Sequence, residues 1–461
     1  MMTNRILKAL SNIVGPDHLS ANQEDLSPFA TDATKLTYMP DAVAFPGSRE
    51  EISKILVLAD KENFPVIPRG AGSGKSGGAL PVAGGLVLAM DRFDRILSID
   101  PQNLIAKVEP GVITARLQGE VEKLGLFYPP DPASADISTI GGNVAECAGG
   151  LRAVKYGVTR DYVLGLTVVL PTGDIIKTGV ETAKGVVGYD LTRLIVGSEG
   201  TLAVITDITL RLVPKPAAQK TMVAFFPNPS AAVQAVSEII HNKIVPAALE
   251  FMDRLCMDCV LHEMPLDIPP ESNALLLIEV DGDQGLIRRE AKKVQEVCVR
   301  YGALRVKSAS GRKAAEKLWE ARKKVSQAVY RLRHDKVSED IVVPRNRMAD
   351  MVAFLEQLGR KYDLPMPAYG HAGDGNIHVN IMFDKNQPEE EKKVTAAVEA
   401  LFRQVIEMKG TISGEHGVGL TKAPFLEMEI SGPAIALMAR LKKAFDPKSI
   451  LNPGKIFPPT L

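Results

Sequence analysis

Between Val66 and Ala79 the chain reads VIPRGAGSGKSGGA, and the residues that follow, Leu80-Pro-Val-Ala-Gly-Gly85, add a proline and two more glycines. Such a run cannot propagate a helix, because glycine loses the most backbone entropy and proline removes a donor and clashes with the preceding turn. It can form a loop whose successive N–H groups approach an anion closely. A Walker A loop fails by one residue: Gly74-Lys75-Ser76 is present, but the leading glycine falls at Arg69. The dinucleotide pattern matches formally at Gly72-x-Gly74-x-x-Gly77, yet it should open a helix and here cannot. A mobile surface loop is the plainer alternative.

The surroundings read as α+β. Ile6, Leu7, Leu10, Ile13 and Val14 share one face of an N-terminal amphipathic helix that Gly15 stops. Ser48-Arg-Glu-Glu51 is a capping box, followed by Ile52, Ile55, Leu56 and Ala59 at helical spacing. Strands are expected at Val66–Pro68, Leu86–Met90, Ile105–Val108, Leu166–Leu170 and Leu202–Leu212. Pro214-Lys-Pro216 marks a boundary, Asn228-Pro229 opens a helix through Ile240, and another helix runs from Pro433 to Phe445 before Asp446-Pro447.

Two further glycine-rich segments accompany the first: PPDPASADISTIGGNVAECAGGLRAVKYG, from Pro129 to Gly157, and GYDLTRLIVGSEGTLAVIT, from Gly188 to Thr206. With these three motifs the chain resembles, over essentially its whole length, the FAD-linked oxidoreductases of the vanillyl-alcohol-oxidase (PCMH-type) fold that oxidise 2-hydroxy acids. The resemblance implies an FAD-binding domain over 1–216 with its core in 42–216, an α+β substrate (cap) domain with the metal site over 217–415, and a segment, 416–461, packing back on the FAD domain. It implies that Arg69, Gly70, Ala71, Gly72, Ser73 and Gly74 cradle the FAD pyrophosphate with Ser76 and Gly77 nearby. Pro130, Asp131, Ser134, Thr139, Gly141, Gly142, Asn143 and Gly149 supply further contacts, as do Glu199, Gly200 and Ile205. Members that bind FAD covalently often carry His where Ser73 stands, which implies a non-covalent flavin. Cys147 departs from the small or amide residue usual at its position.

Only seven histidines occur, and three fall in two polar, glycine-rich motifs. YGHAGDGNIHVNIMF carries His371, His378 and Asn380; Gly373 and Gly375 rule out a helix, whereas a turn feeding a strand puts His378 and Asn380 on one strand face. SGEHGVG carries Glu415 and His416. Two imidazoles and a carboxylate suit Zn²⁺, Mn²⁺ or Fe²⁺ with open positions for substrate; the alternative is that they only satisfy loop hydrogen bonds. The resemblance implies a divalent metal on His371, His378 and Glu415, substrate contact by Asn380, and His416 as acceptor of the substrate hydroxyl proton. It maps a carboxylate-gripping arginine onto Arg322. A second cation, a lysine in the family, falls at Ser338, with Lys336 two residues away, which points to a short monocarboxylate such as D-lactate or glycolate and a 2-oxo acid product. The redox step belongs to the flavin. A flavin oxidase using O₂ directly and a non-catalytic electron-transfer or scaffold subunit are the rival functions.

Lys+Arg and Asp+Glu both count 55, a balance that argues against nucleic-acid binding. No apolar run is long enough to span a bilayer. Four cysteines and no export signal suggest a cytoplasmic protein, with membrane association only through a partner. Cys256-x-x-Cys259-x-x-His262 lacks the further ligands of a zinc or iron–sulfur site and reads as buried thiols in a helix. The sequence ends at LNPGKIFPPTL without a Cys-rich extension, so the electrons are expected to leave for an iron–sulfur subunit or an electron-transfer flavoprotein. A homodimer is compatible with this reading.

Overall fold

The computed structural model describes residues 2–260 and 268–458, so His262 lies outside the described residues. The chain forms two compact units. The first takes the chain up to Gly149, Val158–Lys215 and the chain from Glu415 onward; the second takes Gly150–Gly157 and Pro216–Gly414.

The first unit is built on two main sheets. Strands β1 (Leu19–Ser20), β2 (Ala42–Ala44), β3 (Val66–Arg69) and β4 (Leu86–Ala89) lie in the order β1-β2-β4-β3, the last three parallel. Strands β5 (Ile96–Asp100), β6 (Ile105–Val108), β8 (Val163–Val169), β9 (Ile175–Gly179) and β10 (Val204–Arg211) form an antiparallel sheet in the order β5-β6-β10-β8-β9. The short pair β7 (Leu126–Phe127) and β11 (Val213–Pro214) completes it.

The N-terminal helix, Asn4–Val14, is capped by Thr3 and ends at Gly15, whose φ of 89° is open to glycine. Its Ile6, Leu10 and Val14 bury against Ile52, Ile55, Leu56 and Ala59 of the helix Arg49–Glu62 and against Leu86 and Leu88 of β4. Ser48 caps that second helix by accepting from the Glu51 amide at 3.2 Å, but the Glu51 carboxylate turns back to the Gly47 amide, one residue earlier than a capping box requires. Ile450 and Leu451, from the far end of the sequence, pack in the same core. No helix follows β3 in the glycine-rich segment.

The second unit holds one antiparallel seven-stranded sheet. Its strands are β12 (Ala218–Phe226), β13 (Ala248–Asp253), β14 (Ala274–Gly282), β15 (Arg305–Ser308), β16 (Asp335–Val342), β17 (Ala368–His371) and β18 (Asn376–Phe383), in the order β15-β12-β14-β13-β17-β18-β16. Two helices, Arg254–Val260 and Arg312–Ala328, cover one face through Val223, Phe225, Met252, Leu275, Leu277, Leu318 and Val325. Cys256 and Cys259 are buried thiols within that core. Asn228 caps the helix Pro229–His241 by accepting from the Ala231 amide. Among the described residues no helix is long and apolar enough to cross a membrane.

Residues Gly150–Gly157 are held to the rest of this second unit by Val154, which packs against Gly373, and by the carboxylate of Asp281. Asp281, only 5% exposed, pairs with the Lys155 ammonium, accepts from the Tyr156 hydroxyl at 2.6 Å, and its carbonyl accepts from Lys155 at 2.8 Å. Hydrogen bonds to buried charged groups contribute about 1.5–3 kcal/mol each. Asp281→Ala removes two of them and should therefore lower the unfolding free energy by about 3–6 kcal/mol in denaturant titration. It should also raise amide exchange at 150–157 selectively; unchanged exchange there would show that the anchor lies elsewhere.

Candidate cofactor and active site

In the first unit the loop after β3 is a row of donors. Among the described residues, no acceptor takes the main-chain N–H groups of Ala71 through Gly78. The Ser76 hydroxyl is fully buried and likewise has no partner. Within this loop Ser76, Gly77 and Gly78 are buried while Ala71 is exposed; a buried hydroxyl is rarely left without a partner unless something else meets it, and a run of amides without acceptors in a glycine-rich loop suits a pyrophosphate. Arg69, at the start of this loop, has its side chain turned to main-chain carbonyls. Its guanidinium, on a residue 6% exposed, donates to the carbonyls of Pro28, Phe29, Thr31 and Ala79, and so brackets the loop from behind. Gly72 sits at φ +66°, and a Cβ there would meet Arg69 Nη2 at 2.2 Å.

The second motif abuts the first. Thr139 caps the helix Ile140–Glu146 through the Gly142 amide, and its hydroxyl fills the space where a Cβ of Gly70 would stand. The Asn143 amide donates to Thr114 at 2.7 Å, and a Cβ on Gly141 would meet Pro110 at 2.4 Å. The Pro130 carbonyl accepts from Gln118, and Ser134 starts the turn in which its carbonyl accepts from Ile137 and Ser138. Asp131 lies between them in the same loop. In the third motif Glu199 takes φ 53° and precedes Gly200 at φ +68°. Ile205 lies on β10 opposite Val168.

Glu199 also governs the turn that follows His416. Its carboxylate accepts from the amides of Val418 at 2.8 Å and Gly419 at 2.7 Å. A side chain on Gly417 would collide with Glu146 at 2.4 Å and Glu199 at 2.9 Å. Glu415 packs against Gly149, where a Cβ would come within 2.7 Å of its carboxylate. Glu415 and His416 each bring a potential ligand atom within 4.8 Å of the other's.

Burial, reinforced by Glu199 and Asp32, pushes the Glu146 carboxyl well above the ordinary carboxylate range, with Lys455 opposing. Burial also raises Glu199, against the pull of its two amide donors. Lys455 is driven down to about 8 by burial, against the pull of the three carboxylates. One Glu146 oxygen has no hydrogen-bond partner among the described residues. This carboxyl cluster was not legible from the motifs, although an acid inside the apolar GGNVAEC helix is its trace.

In the second unit the pairing registers place a polar row across the sheet. Glu250 of β13 lies opposite His371 of β17; Tyr369 lies opposite His378 of β18; His378 lies opposite Asp340 of β16. Asn380 follows His378 by two and shares its face, opposite Ser338. The turn between the two histidine strands depends on Gly375, at φ +91°, where a Cβ would strike the Val343 carbonyl at 2.1 Å.

The imidazoles of His371 and His378 stand edge to face with centroids 5.2 Å apart. His371 Nδ1 is 2.6 Å from Glu250 Oε1, and His378 Nδ1 is 3.6 Å from Asp340 Oδ1. Asp340 is fixed in turn by the Asn376 side chain and the Gly414 amide. Imidazoles backed by carboxylates are a donor set suited to a borderline divalent metal. Arg322, from the helix Arg312–Ala328, is 4% exposed; its Nη2 is 2.5 Å from Glu250 Oε2 and it stacks 4.6 Å over Tyr369. The Asn380 carbonyl accepts from the Ser338 hydroxyl at 3.0 Å. Lys336, by contrast, donates to the Ser326 carbonyl and hydroxyl and lies over Tyr330.

So His371, His378, Arg322 and Asn380 share one face of this sheet, and Lys336 is turned to Ser326. Glu250 and Asp340 escaped the motif reading. For Glu250 the signal was a lone acid inside the apolar run ALEFM, a placement that demands a buried partner; Asp340, beside Glu339 in a polar strand, gave none.

Similarity to known proteins agrees with this organisation. Residues 40–179 match the family described as "FAD binding domain", and residues 215–456 match "FAD linked oxidases, C-terminal domain". The chain is 45% identical over 99% of its length to the glycolate oxidase subunit GlcD of Bacillus subtilis, covering 97% of that protein. It is 35% identical to a D-lactate dehydrogenase of Anaerostipes hadrus, over 90% of this chain and 89% of that one. Among solved structures, p-cresol methylhydroxylase superposes with a TM-score of 0.82 at 18% identity, over 99% of this chain and 97% of the other, a likeness of fold. The glycine cradle after β3, the paired domain matches and the full-length relatives together identify the chain as a member of the FAD-linked oxidase family, an FAD-dependent oxidoreductase with the PCMH-type fold of the vanillyl-alcohol oxidases.

Proposed function

We propose that this protein oxidises a small D-2-hydroxy acid, D-lactate or glycolate, to the 2-oxo acid, using non-covalent FAD and a divalent metal and passing electrons to a separate protein. The observation that carries the reading is the pair of buried imidazoles, His371 and His378, each with a buried carboxylate beside it. Sheets do not bury such groups without compensation. The names of the relatives, a glycolate oxidase subunit and a D-lactate dehydrogenase, favour a hydroxy acid.

In this reading bound FAD supplies the two-electron acceptor, and a divalent ion on His371, His378 and Glu415 makes the substrate hydroxyl easier to ionise. The amides of Ala71–Gly78 and the Ser76 hydroxyl bind the cofactor's phosphates. Asn380 and the guanidinium of Arg322 meet the substrate, the latter at the carboxylate. Lys336 is held by Ser326, which favours a monocarboxylate over a substrate needing a second cation. His416 takes the hydroxyl proton, its place set by the Glu199-bound turn that follows it. A relative named as a subunit supports a partner as the electron acceptor, an iron–sulfur subunit or an electron-transfer flavoprotein. Homodimerisation and association with a membrane through such a partner are compatible with it.

The purified protein should be yellow, with FAD released by denaturation. Gly72→Val should abolish retention by displacing Arg69 and the loop. Ser76→Ala should leave a folded chain with weaker FAD binding in a flavin-fluorescence titration, and undiminished affinity would remove that hydroxyl from the cradle. His416→Ala should keep FAD and metal yet slow anaerobic flavin bleaching by about 10²–10⁴-fold. His371→Ala should lose metal but not FAD. Near wild-type bleaching by the His416 variant would place the base elsewhere. Turnover of the isolated wild-type chain with O₂ as fast as with an artificial acceptor would make the enzyme an oxidase.

A further inference from the structure

We propose that Glu250 is a positioning residue that sets His371 and Arg322 at once, holding the imidazole in its Nδ1–H tautomer so that Nε2 carries the lone pair. The inference rests on the reading that His371 is a metal ligand. Glu250 is completely buried, between the apolar neighbours Leu249 and Phe251 on β13. Each of its oxygens meets a different group: Oε1 lies 2.6 Å from His371 Nδ1 and Oε2 lies 2.5 Å from Arg322 Nη2. The strand register puts Glu250 directly opposite His371, and the covering helix brings Arg322 from the same side. A buried carboxylate needs a cation, and Arg322 is that cation. An ionised carboxylate only accepts, so the ring nitrogen facing it must donate.

The carboxylate is therefore the point where the two functions are fixed relative to each other. A carboxylate on the far nitrogen orients a ligating histidine and raises its basicity. The same group limits how far the arginine can swing, which fixes where a substrate carboxylate can be gripped. The sharpest substitution is Glu250→Gln, which is close in shape but has one oxygen and one NH₂. Arginine has only donors, whereas imidazole can do either. The glutamine must give its oxygen to Arg322 and its NH₂ to His371, forcing the ring into the Nε2–H tautomer and blocking the ligating nitrogen.

The test uses FAD-loaded full-length protein labelled with ¹⁵N-histidine, with the His371 signal assigned by its loss in His371→Gln. Long-range ¹H–¹⁵N spectra of the metal-free protein should show the Nδ1–H tautomer in wild type and in Glu250→Asp. Glu250→Gln should show the Nε2–H form. Metal affinity, read by competition with a chromophoric chelator, should fall about 10–100-fold in Glu250→Gln and recover in Glu250→Asp. A Gln variant that keeps the Nδ1–H tautomer, or a wild type already in the Nε2–H form, overturns the proposal. A tautomer switch as expected in a protein that takes up no metal even as wild type upholds the positioning role and overturns the metal reading instead.

Discussion

The first unit is assembled from three separate stretches of chain, and the carboxylate of Glu199 is one of the buried groups that join the last of them to the rest. It binds the amides of Val418 and Gly419, while its own main-chain carbonyl accepts from the Asn452 side chain at 2.8 Å. Asn452 also donates to the Gly78 carbonyl, and Lys455 donates to Leu80. The back of the glycine loop, the third motif and the C-terminal segment are thus tied by one small polar network. Because that network is buried, any member lost leaves others unsatisfied, and the strain falls on the glycine-rich loop after β3. The left-handed backbone at Glu199 follows from this need: the residue must turn its carboxylate one way and its carbonyl the other.

The second unit solves a different problem with the same chemistry. A seven-stranded sheet buried by helices has little tolerance for charge, yet four of its strands carry Glu250, His371, His378 and Asp340 in register. His371 is matched by Glu250 across the strand and Glu250 by Arg322 from the covering helix, while His378 lies 3.6 Å from Asp340. Tyr369 does two jobs there, stacking under Arg322 and lying 5.2 Å from the His378 ring. The row sits at one end of an apolar core that continues through Met252 and Met382, and that rigid core is what keeps the imidazoles in place.

Much of this was legible because its signals are local. The strand Ile105–Val108, the helix opened by Asn228-Pro229 and the non-helical glycine run follow from turn chemistry and periodicity within a few residues. The shared face of His378 and Asn380 follows from the two-residue repeat of a strand. The sequence was silent where partners are distant in the chain. Glu250 lies 121 positions from His371, and nothing within either motif announces the other. Arg69 is a second case: it sits inside a glycine-rich motif, and nothing in that motif shows that Pro28, Phe29 and Thr31 contribute carbonyls to its guanidinium. The strands Ile96–Asp100 and Ile175–Gly179 escaped notice because they are sheet edges with exposed polar residues and weak alternation.

The discontinuity of the first unit has a consequence for how the polypeptide comes into being. A ribosome delivers the chain from its N-terminus, and domains fold as they emerge. Most of the first unit is synthesised early, but Glu199 has no Val418 or Gly419 to bind, and its core lacks Ile450 and Leu451, until those residues have been made. The second unit is complete once Gly414 has left the exit tunnel. The unit encoded first is therefore the later of the two to close, its β3 to β4 loop waits without its backing until residues 418–455 have been made, and long-range closures of this kind are slow. Nascent chains stalled short of the C-terminal segment should form a population that chaperones hold, with the later-encoded sheet already folded beside an unfinished cofactor domain.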